Sequence, residues 1–332
     1  MKKFILFFLS LAVAIAALCA VWLFLQIRSA QSPGPLAAET IMLIERGRGV
    51  AAIAQKLEDT DIIESAFIFK LLTRIDGDRR PLKAGEYQFT AHIKMEEVLE
   101  KLRAGDVYDR KVTFPEGMTS WQVVEILNAL PDLSGEIDSV PAEGTLLPQT
   151  YHYINGDDRA VIIARMQDGL QKALDELWAG RAEDLPVKTP EEALTLASIV
   201  EKETGVADER RRVAGVFINR LRRSMPLQSD PTVIYGITQG RIQNEGQGPL
   251  GRRLLTKDLR AQNPYNTYTN PGLPPGPIAN PGRASIEAVL NPEIHDYIYF
   301  VADGTGGHVF ARTLAEHNRN VANWRKIRRG QQ

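Results

Sequence analysis

The chain has one cysteine, Cys19, so no intrachain disulfide can staple it and the body must fold on packing and hydrogen bonding alone. A surplus of charge is missing too: forty Lys plus Arg stand against forty-one Asp plus Glu, a formal net charge of −1 over 332 residues. That balance removes nucleic acid, or any other polyanion, as a partner selected by global charge, although it leaves room for local basic patches. Histidine is scarce. His92, His152, His295, His308 and His317 show no ligand spacing such as HExxH, and a lone cysteine adds no Cys/His set, so the sequence offers no metal site. Neither a phosphate-cradling glycine loop nor an internal repeat occurs.

What is present is a 44% hydrophobic chain long enough for two or three domains with substantial cores. After Lys2 and Lys3, the stretch from Phe4 to Ile27 carries no charge. At 1.5 Å per helical residue, its roughly 24 positions exceed the ~30 Å hydrocarbon core of a bilayer. A cleaved signal peptide has a shorter apolar region, of ~7–15 residues, and a small-residue cleavage site; the pattern therefore predicts an uncleaved single-pass anchor. Lys2 and Lys3 before the span, against Arg28 after it, orient the N-terminus to the cytoplasm. A lipoprotein reading fails because Leu18, not a small residue, precedes Cys19.

Four segments follow from the pattern. Residues 1–30 form the cytoplasmic N-terminus and transmembrane anchor, and 31–39 a linker. Residues 40–110 form a small unit, and 111–332 a larger one. In the small unit, Ile41–Ile44 has strand length, Val50–Leu57 and Ala66–Ile75 have helical spacing, Gly85–Phe89 reads as a strand, and Met95–Leu102 as a helix stopped by Gly105. This order resembles LysM-like modules that grip acetylated sugar chains; a plain spacer has the same pattern. In the larger unit, Val112 and Phe114 are strand-like, and Met118-Thr119-Ser120 caps a helix over Trp121–Leu130. Ala160–Ala179 is a long amphipathic helix, Glu209–Arg223 another, Ile237–Gly251 a loop, and Tyr297–Val301 a buried strand.

Between these lies the most informative run, Ala193–Asp230. At ~100° per residue Glu203 shares a helical face with Leu196, Ile199 and Val200, while Glu201 points toward Ala197 and the flank. A carboxyl pressed against aliphatic side chains is desolvated, so it holds its proton toward neutrality and can serve as a general acid. The alternative is that Glu203 ends the helix and reaches solvent where Gly205 breaks the pattern.

ASIVEKET (197–204), VFINRLRRSMPLQSDPTVIYG (216–236), YNTYTNPGLPPGPIANPG (265–282) and YFVADGTGGHVFARTLAEHN (299–318) together resemble the endolytic murein transglycosylases of the MltG (YceG-like) family. The resemblance covers most of the chain. It implies an α+β fold, with the single membrane helix, the LysM-like subdomain and a larger mixed α+β catalytic domain. It also implies an enzyme of the inner membrane whose catalytic domain lies in the periplasm and cleaves nascent peptidoglycan within its glycan strands, with peptidoglycan synthases such as penicillin-binding proteins as partners.

The family's essential glutamate falls on Glu203. The implied chemistry is a lyase step that gives 1,6-anhydromuramoyl ends and needs neither metal nor organic cofactor. Glu201, Asn219 and Arg220 are candidate supporting residues, with Arg220 alternatively a solvated charge. Gln228, Ser229, Asp230, Tyr265, Asn266, Thr267, Tyr268, His308 and Asn318 are candidate substrate contacts. For Asp230-Pro231 the alternative is the start of a turn, and for the tyrosines a packed turn. Two departures limit the carry-over. Pro148-Gln149-Thr150-Tyr151 stands where many relatives have an acid after the proline, and the 237–251 loop is longer than usual.

Two rival readings complete the set. Ser198 and Lys202 lie one helical turn apart, as a nucleophile and base would, although no SxxK spacing accompanies them. A non-catalytic wall-binding scaffold would use the LysM-like unit and the tyrosines alone.

Overall fold

The computed structural model describes residues 10, 11, 13–18, 21, 22, 24, 28, 30–241 and 250–330. Just over half of the expected span 4–27 lies outside that set. Among the described residues no helix is long and apolar enough to cross a membrane. The architecture is mixed α+β, with helices predominating and, among the described residues, three separate two-stranded sheets. It divides into two compact units, one holding the residues up to Arg110 together with His152–Asn155, the other Lys111–Tyr151 and everything from Gly156 onward.

In the first unit, β1 (Thr40–Ile44) pairs antiparallel with β2 (Gly85–Phe89), with Met42 opposite Tyr87. Period-2 alternation sends Met42, Ile44, Tyr87 and Phe89 inward and leaves Ile41 and Leu43 exposed. Three helices, α1 (Val50–Asp59), α2 (Ala66–Ile75) and α3 (Met95–Ala104), supply Leu57, Phe69, Val98 and Leu102 to the same core. Each end has a local cause: the Ser65 hydroxyl accepts from the Ile68 N–H at the start of α2. Gly105, at φ 72°, closes α3 in the left-handed conformation that glycine adopts without strain. Arg103 is buried and paired with Asp76, so its charge is compensated inside the unit.

The second unit is built round one helix. Its elements are β3 (Arg110–Thr113) and β4 (Thr150–Tyr153), which both share residues with the first unit, α4 (Ser120–Ala129), α5 (Arg159–Ala179), α6 (Pro190–Glu203) and α7 (Arg210–Arg222). Then come α8 (Asp230–Thr238), α9 (Thr256–Leu259), α10 (Arg283–Leu290), β5 (Tyr299–Ala302), β6 (His308–Ala311) and α11 (Leu314–Gly330). Thr189 caps α6 by accepting from the Glu192 N–H at 3.2 Å, and Pro190 sits in the first turn, where its missing N–H costs nothing. Every residue from Ala193 to Val200 is buried. A helix apolar on all sides belongs inside the protein, and α5, α7, α8 and α10 pack against this one. At its far end β5 and β6 pair antiparallel, Tyr299 opposite Ala311.

Several expectations change. Asp230-Pro231 opens α8 rather than a turn, because proline is well accommodated in a first helical turn. The loop expected from Ile237 therefore begins later, and its residues 242–249 lie outside the described set. The strand expected at Tyr297 begins at Tyr299 and is half-buried throughout rather than buried, since Tyr299, Phe300 and Val301 border a cleft.

Candidate active site

Glu203 is the last residue of α6, so the buried helix delivers its carboxyl to the edge of the core. The chain then turns through Thr204 in extended conformation. The Ser229 hydroxyl donates to Glu203 Oε1 at 2.5 Å. Ser229 is itself only 1% exposed and stands behind the carboxyl. The Ser229 N–H donates to Thr267 Oγ1 at 3.0 Å, and the Thr232 hydroxyl donates to Ser229 O at 2.6 Å. A buried lattice of hydroxyls thus fixes one oxygen of Glu203 and leaves the other uncommitted.

Burial is the largest influence on this carboxyl and raises its pKa; the Ser229 hydrogen bond opposes that, the Asp230 carboxylate reinforces it, and His308 and Arg220 oppose it. The net direction is upward. Glu203 is half-buried by surface area yet closely surrounded by protein atoms, which is why desolvation prevails.

The open side of Glu203 faces a cleft of about 590 Å³, within the range of small-molecule sites. Gln228, Asp230, Tyr268 and Asn318 line it, as do Arg220, Tyr299, Phe300 and His317. The Tyr268 hydroxyl donates to Asp230 Oδ1 at 2.6 Å. Gln228 holds φ 52°, a left-handed conformation that non-glycine residues seldom adopt.

Of the expected substrate contacts, the structure brings Gln228, Asp230, Tyr268 and Asn318 to the cleft and keeps others away from it. Asn266 and Thr267 are buried. Asn266 Nδ2 donates to the carbonyls of Leu259 and Ala261, bracing the turn that carries Tyr268. Tyr265 packs its ring 4.9 Å from that of Tyr235. His308 Nδ1 meets Glu209 Oε2 at 2.8 Å and lies outside the lining.

The expected supporting residues also separate. Glu201 does not line the cleft: its side chain is 6% exposed, accepts from the Gly282 N–H at 2.9 Å, and lies 3.9 Å from Arg210. Asn219 does not reach Glu203; its Nδ2 donates to the carbonyls of His295 and Tyr297 at 2.7 and 3.0 Å. Arg220 is no solvated charge either. It is 7% exposed, donates through Nε to Ile298 O and through Nη1 to Leu227 O, both at 2.7 Å, and lines the cleft.

The Ser198 and Lys202 pair is not assembled. Ser198 is fully buried, donating to Thr195 O and accepting from the Ile278 N–H, while Lys202 Nζ donates to Gly117 O. Among the described residues no group of three or more His, Cys, Asp or Glu could hold a metal ion.

Sequence reasoning missed Tyr299, Phe300 and His317 as cleft residues. The available signal was the aromatic run Tyr297–Phe300, taken as core, and His317 next to Asn318. Chemically, the cleft combines a protonatable carboxyl, aromatic faces, amides and one cation. That is equipment for proton transfer to a polar, hydroxyl-rich ligand.

Comparison with known proteins gives the same direction. The profile of the YceG-like family matches residues 42–323. A Bacillus subtilis (strain 168) protein named endolytic murein transglycosylase is 33% identical over 83% of this chain and 82% of its own length. A protein of the same name from Streptococcus pneumoniae serotype 2 is 30% identical over 84% of this chain, which spans 57% of that relative. Among solved structures, a YceG-like protein from Listeria monocytogenes shares 32% identity and a TM-score of 0.50, covering 85% of this chain and 99% of its own.

Proposed function

Because the chain belongs to the YceG-like family, we propose that it is a peptidoglycan lytic transglycosylase acting endolytically, with Glu203 as its general acid and base. The observation that carries this reading is the single carboxyl at the end of the buried helix. Its pKa is raised chiefly by desolvation, one oxygen is engaged by Ser229, and the rest faces the cleft.

In this reading protonated Glu203 donates to the glycosidic oxygen between N-acetylmuramic acid and N-acetylglucosamine, and the C–O bond to the muramoyl C1 breaks. The resulting carboxylate then takes the proton of the same muramoyl unit's C6 hydroxyl as that oxygen closes on C1. The products are a free N-acetylglucosamine hydroxyl and a 1,6-anhydromuramoyl end. Glu203 finishes protonated and no water is consumed. The intramolecular nucleophile explains why a second carboxylate at glycosidase spacing is not required. Cutting within nascent strands would end their elongation. The uncharged stretch Phe4–Ile27 supports a single-pass anchor that holds the catalytic unit at the outer face of the cytoplasmic membrane, and the first unit's strand–helix order supports a LysM-like glycan contact.

The test is direct. Full-length protein is incubated with uncrosslinked glycan strands, and the product ends are analysed by mass spectrometry. Wild type is expected to generate anhydro ends, and Glu203→Gln to lose about 10²–10⁴-fold in rate with its fold intact. Undiminished ends from Glu203→Gln would remove this residue from the role. Binding without cleavage by wild type would leave the scaffold reading.

A further inference from the structure

Arg220 is a buried cation that shares the cleft with the carboxyls of Glu203 and Asp230 but is bonded directly to neither. It is 7% exposed, lies on the wall of the Glu203 cleft, and among the described residues its hydrogen bonds go to backbone carbonyls alone. Two of its three nitrogens are engaged by backbone carbonyls, Nε by Ile298 and Nη1 by Leu227; Nη2 meets no acceptor among the described residues. Backbone oxygens satisfy hydrogen-bonding capacity but do not neutralise charge. A guanidinium taken out of water therefore favours an anionic or strongly accepting ligand on its open side.

His317 provides a second, independent sign in the same cleft. Its ring stacks on Tyr299 with centroids 5.0 Å apart and planes at 23°, and the Arg220 guanidinium lies 5.3 Å from the centroid of the same tyrosine. His317 Nδ1 is sealed from solvent and has no hydrogen-bond partner among the described residues. Burial, and then the charge of Arg220, push the imidazole pKa down, which favours the neutral ring with a single proton. Placing that proton on Nδ1 would bury an unpaired donor. Placing it on Nε2 turns an N–H toward the cleft that His317 lines. The two side chains then present donors and no exposed acceptor.

We propose that Arg220 and His317 form a subsite for the carboxyl-derived oxygen of the lactyl arm of muramic acid. This rests on the peptidoglycan reading above and adds to it a chemical basis for telling the two alternating sugars apart. The lactyl arm is the substituent that muramic acid has and N-acetylglucosamine lacks. In peptide-free strands its terminus is a carboxylate, and in peptide-bearing strands an amide carbonyl. Both are acceptors to which a guanidinium Nη2 and an imidazole N–H can donate, and the free carboxylate would also pair directly with the Arg220 charge. Placed beside Glu203, such a contact would seat the muramoyl unit, rather than its neighbour, where the bond from C1 is broken.

The test uses full-length Glu203→Gln in detergent, which binds without turnover. Its affinity is measured for peptide-free murein strands, peptide-bearing murein strands and chitin oligosaccharides of equal length, which lack the lactyl arm. The expected result is tighter binding of murein than of chitin. Adding His317→Phe, which keeps a ring on Tyr299 and removes the orphaned Nδ1, should leave the melting temperature at or above that of its parent. It should also weaken murein binding about tenfold, as loss of one buried hydrogen bond does, with chitin binding unchanged. Weakening confined to peptide-free strands would identify the carboxylate as the ligand form; equal weakening on both mureins would show that carboxylate and amide are accepted alike. Equal affinity for murein and chitin, or full retention of the preference in His317→Phe, would overturn the subsite. Because wild-type cleavage is scored separately by product ends, loss of this proposal would leave the catalytic reading standing, whereas an absence of anhydro ends would remove the reading on which it rests.

Discussion

Glu201 and Glu203 lie two residues apart on one helix, and both are shielded, so the helical face that sets Glu201 toward the flank does not by itself decide which is the acid. Their partners do. Glu201 accepts from the Gly282 N–H near the Arg210 cation, while Glu203 has one hydroxyl donor and an open cleft. The sign of the Glu203 shift has measurable consequences. Its folded pKa lies above the unfolded reference of 4.5, so between the two values the folded state binds more protons than the unfolded one, and stability falls as pH rises. Below the unfolded value the penalty is absent; above the folded value it is complete. Glu203→Gln is therefore expected to raise the melting temperature at pH 7–8 and to leave it nearly unchanged at pH 4, with equal shifts at both pH values contradicting a strained carboxyl. Activity should fall on the alkaline side as the acid loses its proton. Ser229→Ala removes a hydrogen bond that favours the charged form, so the falling limb of kcat against pH should move to higher pH, with kcat itself reduced about tenfold by lost positioning. An unmoved limb would count against the contact. Ser229 was visible in the sequence as a polar residue near the site, but its place behind the acid depends on a 26-residue return of the chain that no local pattern records.

At the scale of elements, periodicity and caps carried most of the information. Ala66–Ile75 and Gly85–Phe89 have in the structure the bounds that their pattern predicts, because Ser65 caps the one and turn-forming glycine opens the other. The helix Asp230–Thr238 was not legible: Asp-Pro signals both a turn and a first helical turn, and only tertiary packing against α6 and α9 decides between them. Helix α7 shows the same limit from the other side. Its apolar stripe was readable, yet Asn219 and Arg220 prove to be the struts that hold the backbone at His295, Tyr297 and Ile298, just before the strand that lines the cleft. Asn219→Ala should leave two carbonyls without this donor and cost about 1–3 kcal/mol in denaturant unfolding. It should also lower activity through the displaced Tyr299 wall; a neutral effect on both would contradict the strut role.

Across the whole molecule, four sequence motifs converge on one cleft. The first brings Glu203, the second Arg220, Gln228 and Asp230, the third Tyr268, and the fourth Tyr299, Phe300, His317 and Asn318. That convergence is why a resemblance carried by scattered segments translated into a site, while individual members such as Asn266 and Thr267 turned out to brace it from within. The cleft also contains a second carboxylate, Asp230, held by Tyr268, so its chemistry has two logical outcomes: closure by the sugar's own hydroxyl, or attack by water. Carrying out the cleavage in heavy-oxygen water and weighing the new ends separates them. Intramolecular closure under Glu203 predicts muramoyl ends lighter by one water molecule and free of the label. Labelled reducing ends formed at the rate of cleavage would contradict the lyase mechanism and show that the cleft hydrolyses its substrate.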